Sequence, residues 1–334
     1  MYLGIEIGGT KLQLGVGAGD GKLAGLWRET VDLKAGPEGI RRQITQAVPE
    51  LLTKSGIDRA QIKGIGIGFG GPVDDHTHTI IKSHQIEGWD NFPLEKWLSD
   101  LLGMPAVLGN DADVAGLAEA LFGAGKGFSP IFYITIGSGI GGGLIINGEI
   151  YRGCGRGAAE IGHLRALVVK GFSGLSLKHM PLEVIASGWG IENNFRWFFK
   201  QCLESPNPDL KRQRESLVLR LADGDPSNIT ARLVAEAVRQ GDPDAIKLMQ
   251  YPLTYLAEAI CNVIALLCPR RIIIGGGVSL MGEELLFEPL RRLVARRVFK
   301  PFADCYEIVP AALGEEVVVH GALALARRRF ARAR

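Results

Sequence analysis

The sequence predicts an α/β fold of two related halves facing a common ligand, and a repeated motif carries that prediction. Ile131 to Ile136 is a short, nearly all-apolar run of β-branched and aromatic residues, the pattern of a strand buried on both faces. Gly137-Ser138-Gly139 breaks it, Gly141 to Gly143 leads into a second apolar run from Leu144 to Ile146, and Asn147-Gly148 closes the unit as a turn. Leu3 to Ile7, Gly8-Gly9-Thr10-Lys11 and Leu12 to Val16 repeat the order strand, glycine turn, strand. A turn without side chains lets backbone N–H groups converge on one place, a concave site for an anion such as phosphate. A single such unit reads equally well as a plain hairpin; two of them, far apart in the chain, indicate two halves sharing a ligand across a cleft. Neither is a dinucleotide fingerprint or a Walker loop, because no helix follows the glycines and no Gly-Lys-Ser/Thr closes them.

Length and composition suit this reading. A chain of 334 residues, 46% apolar, can hold two domains with substantial cores. Its 45 glycines are roughly twice the usual share of about 7%, as expected of tight turns around a ligand. The formal charge of +2 leaves no broad basic field for nucleic acid or an anionic membrane. No apolar run approaches the roughly 20 residues of a membrane span, and the opening MYLGIEIGG lacks a signal peptide's basic region and cleavage site, so a cytoplasmic protein is expected. Five cysteines, Cys154, Cys202, Cys261, Cys268 and Cys305, show no paired spacing and suit reduced thiols.

The remaining elements follow in order. Pro37 to Lys54 carries Ile40, Ile44, Val48, Leu51 and Leu52 on one helical face, with Gly56 past its end. Ile62 to Ile67 is a strand running into the glycine-rich turn Gly68 to Asp74. Pro93 to Leu102 is a short helix with Leu94, Trp97, Leu98 and Leu101 on one face. Ala106 to Leu108 is a strand ending in Gly109-Asn110-Asp111-Ala112-Asp113. Polar residues at the carboxyl end of a buried strand, opening a helix, are placed to face a ligand; capping the helix from Ala112 to Phe122 explains Asn110 or Asp111 equally well. Glu160 and His163, three apart in the glycine-bearing turn GCGRGAAEIGH, can converge on adjacent hydroxyls.

Further on, Leu182-Glu183 begins a helix through Trp189, and Ser205 to Ser216 reads as an exposed loop. Ser227 or Asn228 caps a helix near Ala231 to Arg239. Asp242-Pro243 opens a long helix to Leu267, with Pro252 as a kink and Leu248, Tyr251, Tyr255, Ala259, Asn262 and Leu266 directed to the core. Arg271 to Ile274, followed by Gly275 to Ser279, is a third strand and glycine turn. A helix from Glu283 to Val298 and a strand from Tyr306 to Pro310 follow. The last helix, Val317 to Arg334, keeps Val318, Ala322, Leu323 and Leu325 apolar and ends in RRRFARAR, a solvated terminus that complements the helix dipole rather than a nucleic-acid surface.

With these motifs assembled, the chain resembles the ROK (repressor, open reading frame, kinase) family of sugar kinases, within the hexokinase and actin-like superfamily, over nearly its whole length. The resemblance implies two ribonuclease H-like α/β domains with an interdomain cleft. Residues 1–115 would form the small domain, with the C-terminal helix of about 316–334 packing back on it, and residues 116–315 the large one. It also implies ATP-dependent phosphorylation of a hexose hydroxyl, with glucose O6 expected first and mannose, fructose, N-acetylglucosamine and N-acetylmannosamine as alternatives.

The family's Asn-Asp-Ala-Asn segment matches Asn110 to Asp113, which makes Asp111 the catalytic base and leaves Asp113 as a departure. Gly71, Asn110, Asp111, Glu160, His163 and Glu183 would bind the sugar, and Gln85 stands where the family commonly has Asn. Gly8, Gly9, Thr10 and Lys11 with Gly137, Ser138 and Gly139 would cradle the ATP phosphates, while Gly276 and Gly277 face the nucleoside. Magnesium on those phosphates would be reached through water by Glu6, where the family has Asp.

Relatives carry a structural zinc on His and three Cys of a Cys-x-Cys-Gly-x-x-Gly-Cys-x-Glu segment. Aligned on Glu183, the cysteine places hold Gly174, Ser176 and Pro181, so no structural zinc is expected. Ordering of that loop would pass to Leu164, Leu167, Val168, Phe172, Leu175 and Met180. Two rivals differ in class. A repressor of the family would carry a helix-turn-helix before the first hairpin, which here opens at Tyr2; a sugar sensor would bind without turnover, for which Glu6 and Asp113 are the relevant departures. The expected partners are a hexose, ATP and a second copy in a homodimer, with no nucleic acid and no membrane.

Overall fold

The structure, a computed structural model, describes residues 1–331 except 84–85, 171–175 and 208–209. Gln85, Phe172, Gly174, Leu175 and the last three residues of the basic terminus therefore lie outside the described residues. The chain forms two compact units: Met1–Tyr133, Gly142–Ala159 and Ala311–Arg334 in the first, Ile134–Gly141 and Glu160–Pro310 in the second.

In the first unit β1 (Tyr2–Ile7) pairs antiparallel with β2 (Lys11–Gly17), which pairs with the edge strand β3 (Gly25–Thr30). After helix α1 (Gly36–Ser55) comes β4 (Ile65–Phe69), parallel to β1. A two-residue hairpin, β5 (Val73–Asp74) and β6 (Thr79–Ile80), leads to α2 (Leu94–Leu102) and to β7 (Ala106–Asn110), parallel to β4. The strand order is β3-β2-β1-β4-β7, and α3 (Asp111–Phe122) follows β7 directly. β1 and β4 are buried along their whole length, which is why they read as continuous apolar runs.

The expected face of α1 is buried, and Gly56 closes the helix at φ 64°. In α2 the core residue is Leu102 rather than Leu101. The C-terminal helix, Val317–Phe330, packs on β1, β4 and α3 with Val318, Ala322, Leu323 and Leu325 buried. That helix explains glycines that are not turn residues: a Cβ at Gly4 would stand 2.9 Å from Val319 O, and one at Gly66 would collide with the Ala322 backbone. The compact unit does not end at 115. α3 is packed against the C-terminal helix and keeps the following segment with it.

A second sheet contains β8 (Ile131–Ile136), β9 (Ile140–Ile146) and β10 (Glu149–Ile150). Asn147 and Gly148, both at positive φ, make the β9–β10 turn that the sequence signals. β9 starts at Ile140, earlier than expected, and Gly143 lies inside the strand with its Cβ position 2.9 Å from Ala112 O. The glycine turn is thereby shortened to Gly137–Gly139.

Next come the hairpin β11 (Arg165–Lys170) and β12 (Ser176–Pro181), and the helices α4 (Leu182–Ala186), α5 (Gly188–Glu204), α6 (Lys211–Arg214), α7 (Leu217–Leu221), α8 (Ala231–Arg239) and α9 (Pro243–Leu267). β13 (Arg271–Gly275), α10 (Glu288–Arg297) and β14 (Glu307–Pro310) complete the set, with sheet order β10-β9-β8-β13-β14. The boundary between the compact units falls within β8 and β9.

Several expectations need correction here. The helix beginning at Leu182 is broken at Ser187, whose hydroxyl caps α5 by accepting from Gly190 N. Ser216 is buried and donates to Asp242 Oδ2 at 2.9 Å, so its stretch is not uniformly exposed loop. The cap of α8 is Thr230; Ser227 and Asn228 belong to a short turn capped by Asp225. Glu283–Phe287 is a π-helical turn ahead of α10. On α9 Ala259 is buried as expected, but the rest of the buried face is Ala245, Met249, Leu253, Leu256, Ile260 and Ile264, and Leu266 is 81% exposed. In the β11–β12 hairpin Val168 is buried but Leu164 and Leu167 are exposed; the strand ladder and the Tyr255 hydroxyl, which donates to Leu167 O at 3.0 Å, order it instead. Among the described residues no helix is long and apolar enough to cross a membrane.

Candidate active site

In the first unit the parallel strands β1, β4 and β7 end side by side, and their carboxyl ends carry Glu6, Gly70–Gly71 and Asn110–Asp111. This is where an α/β sheet presents ligand groups. The β1–β2 turn is closed by Gly8 N donating to Lys11 O at 2.9 Å, and Gly70 N donates to Ile7 O at 2.9 Å, which fixes the glycine segment to the end of β1.

Asn110 caps α3: its Oδ1 accepts from Ala112 N at 2.9 Å and from Asp113 N at 3.2 Å. Its Nδ2 donates to Gly71 O at 3.0 Å. With capping done by Asn110, the half-buried Asp111 is left at the first helical position, its Oδ1 accepting from Ala112 N at 2.8 Å. A Cβ at Gly70 would lie 3.5 Å from Asp111 Oδ2, so the glycine segment borders this carboxylate.

Glu6 is buried, accepts from Gln13 Nε2 at 2.9 Å and lies 3.4 Å from Lys11 Nζ. Burial pushes its pKa up to about 7; Lys11 opposes this, and the Asp111 carboxylate adds to it. The charge interaction places Glu6 and Asp111 in one electrostatic neighbourhood. A carboxylate beside a phosphate-type turn has the hard oxygen donors that suit magnesium entering with a nucleotide. Sequence reasoning missed Gln13, whose bond to the Glu315 carbonyl spans 302 positions.

The second unit builds its own group of residues. In the Gly137–Gly139 turn, Gly137 N donates to Gly139 O at 2.9 Å, and Gly188 N, at the start of α5, donates to Gly137 O at 2.8 Å. The helix N-terminus strengthens the anion preference of the turn, and the Ser187-Gly188 cap was its sequence signal. A Cβ at Gly139 would stand 3.0 Å from Glu183 Oε2, so Glu183 lies beside this turn. Gly276, at φ 84°, presses on the Ile136 backbone at 2.6 Å from its Cβ position, whereas a Cβ at Gly277 would meet nothing within 4 Å. Glu160 and His163 are exposed at either end of one short turn, His163 N donating to Glu160 O at 3.0 Å. Among the described residues no group of three His, Cys, Asp or Glu is arranged to hold a metal ion.

The sequence pattern of the ROK family matches residues 2–329. The chain belongs to the ROK family. It is 31% identical over 329 residues to a glucokinase of Thermotoga maritima, covering 98% of each chain. Among solved structures, it resembles a ROK hexokinase from Thermus thermophilus with a TM-score of 0.78 and 27% identity, covering 98% of each chain. A ROK family glucokinase from Streptomyces griseus, solved in complex with glucose and AMPPNP, matches with a TM-score of 0.76 and 30% identity over 98% of this chain and 99% of that one. This likeness over the whole chain bears out the α/β fold class expected from the resemblance.

Proposed function

We propose that this chain transfers the γ-phosphate of ATP to O6 of glucose. The coarser statement, an ATP-dependent sugar kinase, follows from ROK membership with glucokinase relatives at about this identity over the full chain. The observation that supports the finer mechanism is Asp111 directly after β7, half-buried, with Asn110 as the cap of α3 and Asp111 Oδ2 beside the glycine segment at Gly70.

Asp111 accepts the proton of the glucose O6 hydroxyl as O6 attacks the γ-phosphorus, the bond from that phosphorus to the β,γ-bridging oxygen breaks and ADP leaves; Asn110 with Gly71 holds the sugar next to Asp111. Glu160, His163 and Glu183 bind the remaining hydroxyls. Backbone N–H groups of Gly9 and Thr10 and of Ser138 and Gly139 receive the phosphates, in turns closed by Gly8 N and Gly137 N, and the open face of Gly277 next to Gly276 receives the nucleoside. Glu6 would be the carboxylate that holds the magnesium entering with the nucleotide, which would supply positive charge to the phosphates. The protein's own contribution is position and electrostatics. The reading extends to a homodimer, as the family resemblance implies, in the cytoplasm, and to no structural zinc, because Gly174, Ser176 and Pro181 stand at the cysteine places.

A coupled assay of ADP release over glucose, mannose, fructose, N-acetylglucosamine and N-acetylmannosamine tests the acceptor. Glucose should give the highest kcat/KM, with the phosphate on O6 by NMR of the product. A higher value for an N-acetylated sugar would replace glucose as the substrate.

A further inference from the structure

Gln13 faces Glu6 across the β1–β2 ladder, and its side chain is fully buried. A buried amide requires partners at both ends, and every partner of this one is specific. Nε2 donates to Glu6 Oε2 at 2.9 Å and to the carbonyl of Glu315 at 2.9 Å, while Oε1 accepts from Arg28 Nε at 3.1 Å. Lys11 Nζ, 3.4 Å from the other Glu6 oxygen, donates to the same Glu315 carbonyl at 3.1 Å. Arg28 pairs with Glu315 at 2.7 Å and Glu316 at 2.5 Å. The two oxygens of Glu6 are thus held by two residues of β2, and both donors are tied to the Gly314–Glu316 turn that precedes the C-terminal helix.

We propose that Gln13 is a positioning residue for phosphoryl transfer: its amide, locked by Arg28 and the Glu315 carbonyl, fixes the direction of the Glu6 carboxylate. The inference rests on the kinase reading, in which Glu6 serves the nucleotide's magnesium. A Glu side chain has more rotatable bonds than the Asp that the ROK resemblance expects at this place. A carboxylate free to swing loses preorganisation, and misplacement of a charged group by about 1 Å can lower turnover by as much as 10²-fold. An apolar residue of equal size would fill the space of Gln13 without needing partners, so packing alone gives no reason for an amide.

Gln13→Met removes the donors and keeps the bulk. It should lower kcat about tenfold, in line with loss of transition-state positioning, while the Kd for glucose measured without nucleotide stays within about twofold. In a Glu6→Asp background, where the shorter carboxylate is beyond the amide's reach, the same change should lower kcat by less than about threefold. Equal losses in both backgrounds would show that Gln13 acts through the turn or the fold and would overturn the proposal.

If Gln13→Met does not fold, Arg28→Met, which unlocks the amide at its Oε1 end, should lower kcat in the Glu6 protein and not in Glu6→Asp; equal effects again overturn it. A crystal structure of the nucleotide-free variant separates this inference from the kinase reading. A displaced Glu6 side chain supports the positioning role even if no hexose is turned over, and an unmoved Glu6 contradicts it even in an active enzyme.

Discussion

Asn110 Nδ2 donates to Gly71 O at 3.0 Å while Asn110 Oδ1 caps α3, so one side chain ties the end of β7 to the glycine segment that follows β4. Asn110→Ala should therefore lose about 1 kcal/mol of stability through the cap alone. It should also raise the KM for glucose, because Gly71 and Asp111 lose their common tether. Denaturant unfolding and initial-rate kinetics measure the two effects separately; a lost cap with an unchanged KM would restrict Asn110 to a structural role.

Neighbouring glycines should respond in opposite ways. Gly276 sits at φ 84° with the Ile136 backbone 2.6 Å from its Cβ position, so Gly276→Ala should destabilise the fold by more than the roughly 1–2 kcal/mol of a left-handed Ala. Around Gly277 a Cβ meets nothing within 4 Å. Gly277→Ala should leave the melting temperature in place and raise the KM for ATP severalfold. Calorimetry together with ATP kinetics decides; an unaltered KM would remove Gly277 from the nucleoside site.

Glu6 makes stability depend on pH with a definite sign. Its folded pKa of about 7 lies above the ordinary glutamate value, so between those two values the folded chain binds more protons than the unfolded one. Stability from this group is complete below the ordinary value and declines as pH rises through about 7. Glu6→Gln should accordingly be more stable than wild type at pH 8, by on the order of 2–3 kcal/mol, and nearly equal to it at pH 4.5. Melting curves at both values check this, and a Glu6→Gln protein less stable at pH 8 would contradict the burial argument.

The β11–β12 hairpin should need no zinc. Ser176 and Pro181 occupy two of the three expected cysteine places in β12, and neither supplies a thiolate. Protein purified without chelator should contain well under one zinc per chain by elemental analysis, and chelator should not shift its melting temperature. Stoichiometric zinc lost together with stability would contradict this.

Much of the first unit was legible because its signals are local. The β1–β2 glycine turn, the α1 stripe closed by Gly56 and the Asn110 cap each lie within a few residues of what they determine. α9 was misread because it is apolar around much of its surface, and a periodicity count cannot choose the face that α4 and α10 cover. β3 alternates weakly since it is a largely exposed edge strand. The meaning of Gly4 and Gly66 depends on a helix at the other end of the chain, as does the Gln13 bond to Glu315 across 302 positions; no local pattern encodes either. Asp111 and Glu6 were named from the family resemblance, and the geometry supplied what the sequence left open, that Asn110 is the cap of α3.

Turnover by Asp111→Asn, measured beside its affinity for glucose, tests Asp111 as the base. The amide keeps the shape and loses the proton acceptor. Glucose Kd and melting temperature should remain close to wild type, while kcat for ADP release falls by about 10²–10⁴. Retained turnover at near wild-type rate would contradict the assignment of Asp111 as the base.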